Sequence, residues 1–170
     1  MKHLVKRVGI MLLIISMICP IKASSVAFEK NLVDVDVIVC GAEPEGIAAA
    51  ISASEGGLNT VLIDTRCYPG GLYTSGMLTM LDLNYNESKE KLPIVNQGIF
   101  AKWYKHIGKG WRIQCEETKT YFNKLLNKQH VKTFYNVTTL QVEASNGSIH
   151  SITFKQNGIP WRIQAKYVID

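Results

Sequence analysis

The run Asp36-Val-Ile-Val-Cys40 leads directly into Gly41-Ala-Glu-Pro-Glu-Gly46 and then into Ile47-Ala-Ala-Ala-Ile51. No other stretch constrains the fold as tightly. An apolar, β-branched run bounded by glycine reads as a buried parallel strand. The small-residue run reads as a helix packed closely on that strand. A second apolar run, Thr60-Val-Leu-Ile63, ends in Asp64. Strand, glycine turn, small-residue helix, strand and an acid about 20 residues past the glycines together make the layout of a dinucleotide-binding βαβ unit.

Each residue type has a physical task in such a unit. Gly41 allows a tight turn at the strand end. Gly46 removes a side chain where helix and strand must touch. The first turn of the helix leaves N–H groups unpaired and carries partial positive charge, so a pyrophosphate can sit there. Pro44 suits the first helical position, where its missing N–H costs nothing. Asp64 can accept hydrogen bonds from a ribose hydroxyl, and it disfavours a phosphorylated ribose. One position departs from the G-x-G-x-x-G pattern: Glu43 stands where the middle glycine would be. A carboxylate about 4 Å from a phosphate charge is repelled by roughly 4 kcal/mol at an effective dielectric of about 20. The side chain of Glu43 is therefore expected to point away from the phosphates.

The 170 residues suffice for a sizeable core. The net charge of +5 is spread without a long basic stretch, and no recognition module appears, so nucleic acid is not an expected partner. Lys2, His3, Lys6 and Arg7 precede an apolar run from Val8 to Cys19, then Pro20 and the small residue Ala23. That reads as a secretory signal over residues 1–23, too short to span a bilayer comfortably. The expected location is secreted or extracytoplasmic, with no stable membrane association after cleavage; an uncleaved N-terminal anchor is the alternative. Cys40, Cys67 and Cys115 form no C-x-x-C pair, and His3, His106, His130 and His150 are dispersed, so no metal site is expected.

Residues 24–34 read as a lead-in. After the βαβ unit, Thr65-Arg-Cys-Tyr-Pro-Gly-Gly-Leu-Tyr-Thr-Ser-Gly76 reads as a loop in which Gly70 and Gly71 let backbone approach a ligand and Thr74 and Ser75 offer hydroxyls. Leu92-Pro93 suggests extended structure. Helices are expected from Gln97 to about Ile107 and from about Glu117 to Gln129. A third strand is expected over Val131 to Tyr135. Thr139–Glu143 and Ile149–Phe154 alternate apolar and polar around Asn146-Gly147, a hairpin signal. Gly158-Ile-Pro160 reads as a turn, and Trp161 to Asp170 as a last strand. A meander between parallel strands is an unusual crossover.

That order resembles the two-dinucleotide-binding-domain flavoproteins. More narrowly, Val37 to Ala50 followed by Gly70-Gly-Leu-Tyr-Thr-Ser-Gly-Met77 is similar to the N-terminal part of the FAD-dependent oxidoreductase family, with its Gly-x-x-Pro-x-Gly turn and Gly-Gly-x-x-Thr-Ser-Gly loop. Asn96-Gln-Gly-Ile-Phe100 and Ala165-Lys-Tyr-Val-Ile-Asp170 are similar to later segments of that family. The resemblance implies an α/β, Rossmann-like FAD-binding domain with a parallel sheet and an antiparallel β-meander crossover. It implies FAD held by the turn Gly41, Ala42, Pro44, Glu45 and Gly46, by Asp64 at the adenosine ribose, and by the loop residues Gly70, Gly71, Thr74 and Ser75. It also places Val137 near the adenine. Chemistry then belongs to the flavin: hydride or electron-pair transfer on a small-molecule substrate that the sequence does not identify. The organisation expected is a truncated domain over residues 35–170, with the substrate domain absent and no catalytic acid or base assignable. An NAD-binding dehydrogenase domain and a truncated, non-catalytic exported protein are the alternatives. Oligomeric state and electron acceptor are not legible.

Overall fold

The computed structural model describes residues 30–82, 95–107 and 112–170. The expected signal at 1–23, residues 24–29 of the lead-in and the extended reading at Leu92-Pro93 lie outside the described residues. The chain forms β1 (Lys30–Cys40), α1 (Pro44–Glu55), β2 (Thr60–Ile63), a short 3₁₀ turn (Gly71–Tyr73), α2 (Gly98–Ile107), α3 (Cys115–Lys128), β3 (Lys132–Phe134), β4 (Val137–Ser145), β5 (Ser148–Gln156) and β6 (Ile159–Ile169). No helix among the described residues is long and apolar enough to cross a membrane.

The strands form one sheet in the order β3-β2-β1-β6-β5-β4. β1, β2, β3 and β6 run parallel, with Val37 opposite Thr60 and Tyr167, and Leu62 opposite Thr133. β4, β5 and β6 form the antiparallel meander that carries the chain from β3 back to the other side of β1. Both hairpins turn on Asn-Gly pairs at positive φ, Asn146-Gly147 and Asn157-Gly158, a backbone twist that matches the flanking strands. The second turn therefore begins one residue earlier than Gly158-Ile-Pro160, and Ile159 and Pro160 already belong to β6. β1 also starts within the expected lead-in, because Lys30–Leu32 pair with Trp161–Ile163 of β6.

Two apolar layers hold the sheet. On one face, Val37, Val39 and Leu62 meet Ala50 and Ile51 of α1, Trp103 of α2 and Phe122 and Leu126 of α3. Trp103, only 1% exposed, stacks on Tyr73 with centroids 5.1 Å apart and lies 5.8 Å from Phe122. On the other face, Ile38, Val61 and Ile63 join Phe134 and the meander residues Ile152, Phe154 and Ile163. The alternation of Val37, Ile38 and Val39 between these layers is the period of two expected of a strand buried on both sides. All the parallel strands thus end at the same edge, where Cys40, Ile63 and Phe134 hand over to loops. In open α/β sheets ligands bind at that edge.

Candidate functional site

β1 ends as the Gly41 amide donates to Ile63 O at 2.8 Å, and the chain turns through Gly41 at φ +98°. The first hydrogen bond of α1 is Ile47 N–H to Glu43 O, at 2.9 Å. The amides of Glu45 and Gly46 precede it, so they lack an intrahelical acceptor and point out of the helix start. Pro44 occupies the first helical position and Glu45 lies in the first turn. A Cβ added to Gly46 would overlap the carbonyl oxygen of Gly41, so only glycine lets the helix sit this close to the turn. Glycine turn, helix start and unpaired amides thus converge at the end of β1.

Asp64 follows β2 directly and is 4% exposed. Its Oδ2 accepts from the buried amide of Ala42 and, at 2.7 Å, from Arg66 Nη2; its Oδ1 accepts from Arg66 N at 2.7 Å and Arg66 Nε at 3.1 Å. Burial pushes the carboxyl up, but the combined hydrogen bonds from Arg66 and Ala42 outweigh it and hold it below its ordinary value. The same contacts, that to Asp64 foremost, raise the Arg66 guanidinium further above its already high value. Four accepted bonds fill the lone-pair capacity of a carboxylate. A ribose hydroxyl can therefore bond to Asp64 only where one of the present donors gives way.

Glu43, the residue at the middle-glycine position, turns its carboxylate into the loop that follows β2. Oε1 accepts from Arg66 Nη1, and Oε2 accepts from the Leu72 amide at 3.0 Å. A Cβ on Gly71, at φ +44°, would collide with this carboxylate. The attraction of a guanidinium and an aimed N–H explains why the acid is drawn in. Arg66 thus bridges two carboxylates, Asp64 and Glu43.

The loop itself is tightly built. Gly70 N–H donates to Ala42 O at 2.8 Å, which ties the loop to the turn, and Gly76 N–H donates to Gly71 O at 3.0 Å. The Thr74 hydroxyl is buried and donates to Pro69 O at 2.9 Å, so it is spent internally, whereas Ser75 is exposed. Val137 is buried and its amide donates to Asp64 O at 3.1 Å. The structure therefore brings Gly41, Ala42, Pro44, Glu45, Gly46, Asp64, Gly70 and Gly71 together at one edge, with Val137 bonded to the Asp64 backbone. It commits the hydroxyl of Thr74 elsewhere. An open apolar cleft of about 260 Å³ adjoins the helix start, between Pro44, Glu45, Tyr73, Phe100 and Trp103. Trp103 is core, but the edge of that aromatic layer also walls this cleft.

Sequence reasoning missed Arg66. Its only signal was a cation two residues past the strand-end acid, and a contact to Glu43 across 23 residues is not visible in spacing. No group of three or more His, Cys, Asp or Glu capable of holding a metal ion occurs among the described residues.

The geometry fits a dinucleotide. The cradle closed by Gly46, the two free amides and the neighbouring acid match a diphosphate and its sugar, with Glu43 standing within the same ring of groups. Residues 36–170 match the model of a family described as FAD dependent oxidoreductase. Among curated proteins, the chain is 27% identical over 145 residues to Increased recombination centers protein 15 of Saccharomyces cerevisiae, covering 79% of this chain and 28% of that one. It is 39% identical over 54 residues to sarcosine oxidase subunit alpha of Rhizobium meliloti, covering 32% of this chain and 6% of that one. The chain thus spans less than a third of the length of either relative. Among solved structures, a flavoprotein/dehydrogenase from Cytophaga hutchinsonii superposes with a TM-score of 0.56 at 17% identity, over 83% of this chain and 39% of that one. THI4 from Thermovibrio ammonificans superposes with a TM-score of 0.54 at 18% identity, over 80% and 56%. At these identities the structural likeness shows the fold.

Proposed function

The chain belongs to the FAD dependent oxidoreductase family, whose cofactor is FAD, and from that premise we propose that residues 36–170 hold the ADP half of FAD in an exported oxidoreductase that acts on a small-molecule substrate. When bound, FAD supplies hydride or electron-pair transfer. What this chain's residues do is bind and orient. The amides of Glu45 and Gly46 meet the diphosphate at the positive end of α1. Asp64 accepts a sugar hydroxyl, the Ala42 amide fixes the direction of that carboxylate, and Gly46 allows the close approach. The observation that carries this reading is the Ala42–Asp64 hydrogen bond, which locks the glycine turn of β1 to the acid of β2 at one sheet edge.

Isothermal titration of the folded chain tests it. FAD is expected to bind one to one, ADP to compete with it, and Asp64→Ala to weaken it at least tenfold. NAD⁺ competing better than ADP would favour a nicotinamide domain, and a folded chain that takes no FAD would overturn the reading. The basic and apolar residues of 1–23 support export. N-terminal sequencing of exported protein beginning at Ser24 is the expected result, and retention of Met1 in a membrane fraction would refute cleavage.

A further inference from the structure

Three observations at the turn do not follow from holding FAD and point to a competition built into the site. The carboxylate of Glu43 is bonded to the Leu72 amide and to the Arg66 guanidinium, two donors of the kind a phosphate recruits. It fills the space that the missing side chain of Gly71 leaves, in the loop that Gly70 ties to the turn. Asp64, the acid assigned to the sugar, already accepts four hydrogen bonds, three of them from Arg66. The Arg66 guanidinium thus engages Glu43 and the sugar's acceptor at once, while the Leu72 amide holds the other oxygen of Glu43.

We propose that Glu43 is an internal stand-in for a phosphate and sets the affinity of the site. Arg66 acts as the exchange latch, passing from Glu43 to a phosphate oxygen of the ligand while its movement frees an acceptor position on Asp64. The proposal rests on the reading of the site given above. Its charge logic is direct. Glu43 and Asp64 share one cation, so an arriving diphosphate must win Arg66 from a carboxylate whose competition is intramolecular. Arg66 is about one-third exposed, so its head can turn without unpacking the core. Glu43 is about as open, which gives its carboxylate a path to water once released. The latch therefore lowers the affinity for ligands that carry phosphate at the sugar's 5′ side and leaves that for a bare nucleoside unchanged, because only a phosphate competes with Glu43 for Arg66 and the Leu72 amide.

The experiment is a set of titrations of the full chain with FAD, ADP and adenosine. The variants are Glu43→Ala, Arg66→Met and their combination, with Glu43→Gln as the near-isosteric variant and Arg66→Lys in case Arg66→Met fails to fold. Glu43→Ala and Glu43→Gln are expected to tighten FAD and ADP by about tenfold or more, equivalent to about 1.4 kcal/mol, and to leave adenosine within twofold. Without Arg66 the gain from removing Glu43 should shrink to less than threefold. Unchanged or weaker ADP binding by both Glu43 variants overturns the latch, as does an equal gain for adenosine. So does a gain that persists in full without Arg66. If the wild type binds FAD and only these comparisons fail, the FAD reading survives. If neither wild type nor any folded variant binds FAD or ADP, the reading of the site and the latch fall together.

Discussion

Asp64→Ala is the perturbation with the most calculable consequence. Asp64 is nearly fully buried, its carboxylate takes four hydrogen bonds, and one donor, the amide of Ala42, has no exposure of its own. Truncation leaves that amide without an acceptor, a cost of about 1–3 kcal/mol. It also removes one of the two carboxylates on Arg66. That guanidinium is about one-third exposed and keeps Glu43, so its ionic share is discounted to about 1 kcal/mol. The expected loss is about 2–4 kcal/mol. Urea denaturation followed by circular dichroism and tryptophan fluorescence measures it: the midpoint should fall while the slope m stays constant. The loss should also depend on pH. The Asp64 carboxyl lies below its ordinary value in the fold, so the unfolded state binds its proton more readily. Its stabilisation is then complete above about pH 5 and is lost as the pH falls below about 4. The gap between wild type and Asp64→Ala should narrow over that window. A loss below about 0.5 kcal/mol at pH 7, or a gap that does not narrow on acidification, would refute the argument that these hydrogen bonds fasten the edge.

Gly46→Ala drives a Cβ into the Gly41 carbonyl, so α1 must move from β1; a loss of about 1–3 kcal/mol in chemical denaturation is expected, and a fully stable variant would show that the approach is not tight. Trp103→Ala removes a ring that is 1% exposed and stacked on Tyr73, and should cost about 3–5 kcal/mol; a cost under about 1 kcal/mol in the same assay would mean that α2 does not contribute to the core. Burial and the charge of Asp170 push the Cys40 thiol up to about 11, whereas Cys67 is exposed. Iodoacetamide at pH 8 should therefore label Cys67 well before Cys40 in a mass-spectrometric time course, and the reverse order would contradict the burial of the β1 end.

The elements whose residues carry a local period were legible in the sequence. Val37–Cys40, Ile47–Ile51 and Thr60–Ile63 announce themselves by apolar runs, and Asn146-Gly147 announces its hairpin. Lys30–Asp34 did not, because Lys30, Asn31 and Leu32 join β1 by pairing with Trp161–Ile163 of β6, a strand far later in the chain. At the site, the glycines and Asp64 could be placed from spacing, since each answers a backbone or charge requirement that acts locally. The side chains that turn inward could not. Whether Glu43 faces water or the loop depends on where the Gly70–Gly71 segment returns and on Arg66 waiting there. Whether the Thr74 hydroxyl faces a ligand depends on the Pro69 carbonyl that claims it. Those are tertiary facts, settled by partners distant in sequence.

The proposed site seats a diphosphate on the start of α1 at one sheet edge while Asp64 takes the sugar. A crystal structure of the chain with FAD bound tests it most directly. The diphosphate is expected within hydrogen-bonding distance of the Glu45 and Gly46 amides, with a ribose hydroxyl on Asp64 and Arg66 turned from Glu43 to a phosphate oxygen. A diphosphate lodged away from the Gly41–Gly46 turn, with Asp64 still bound only by Arg66 and Ala42, would contradict it.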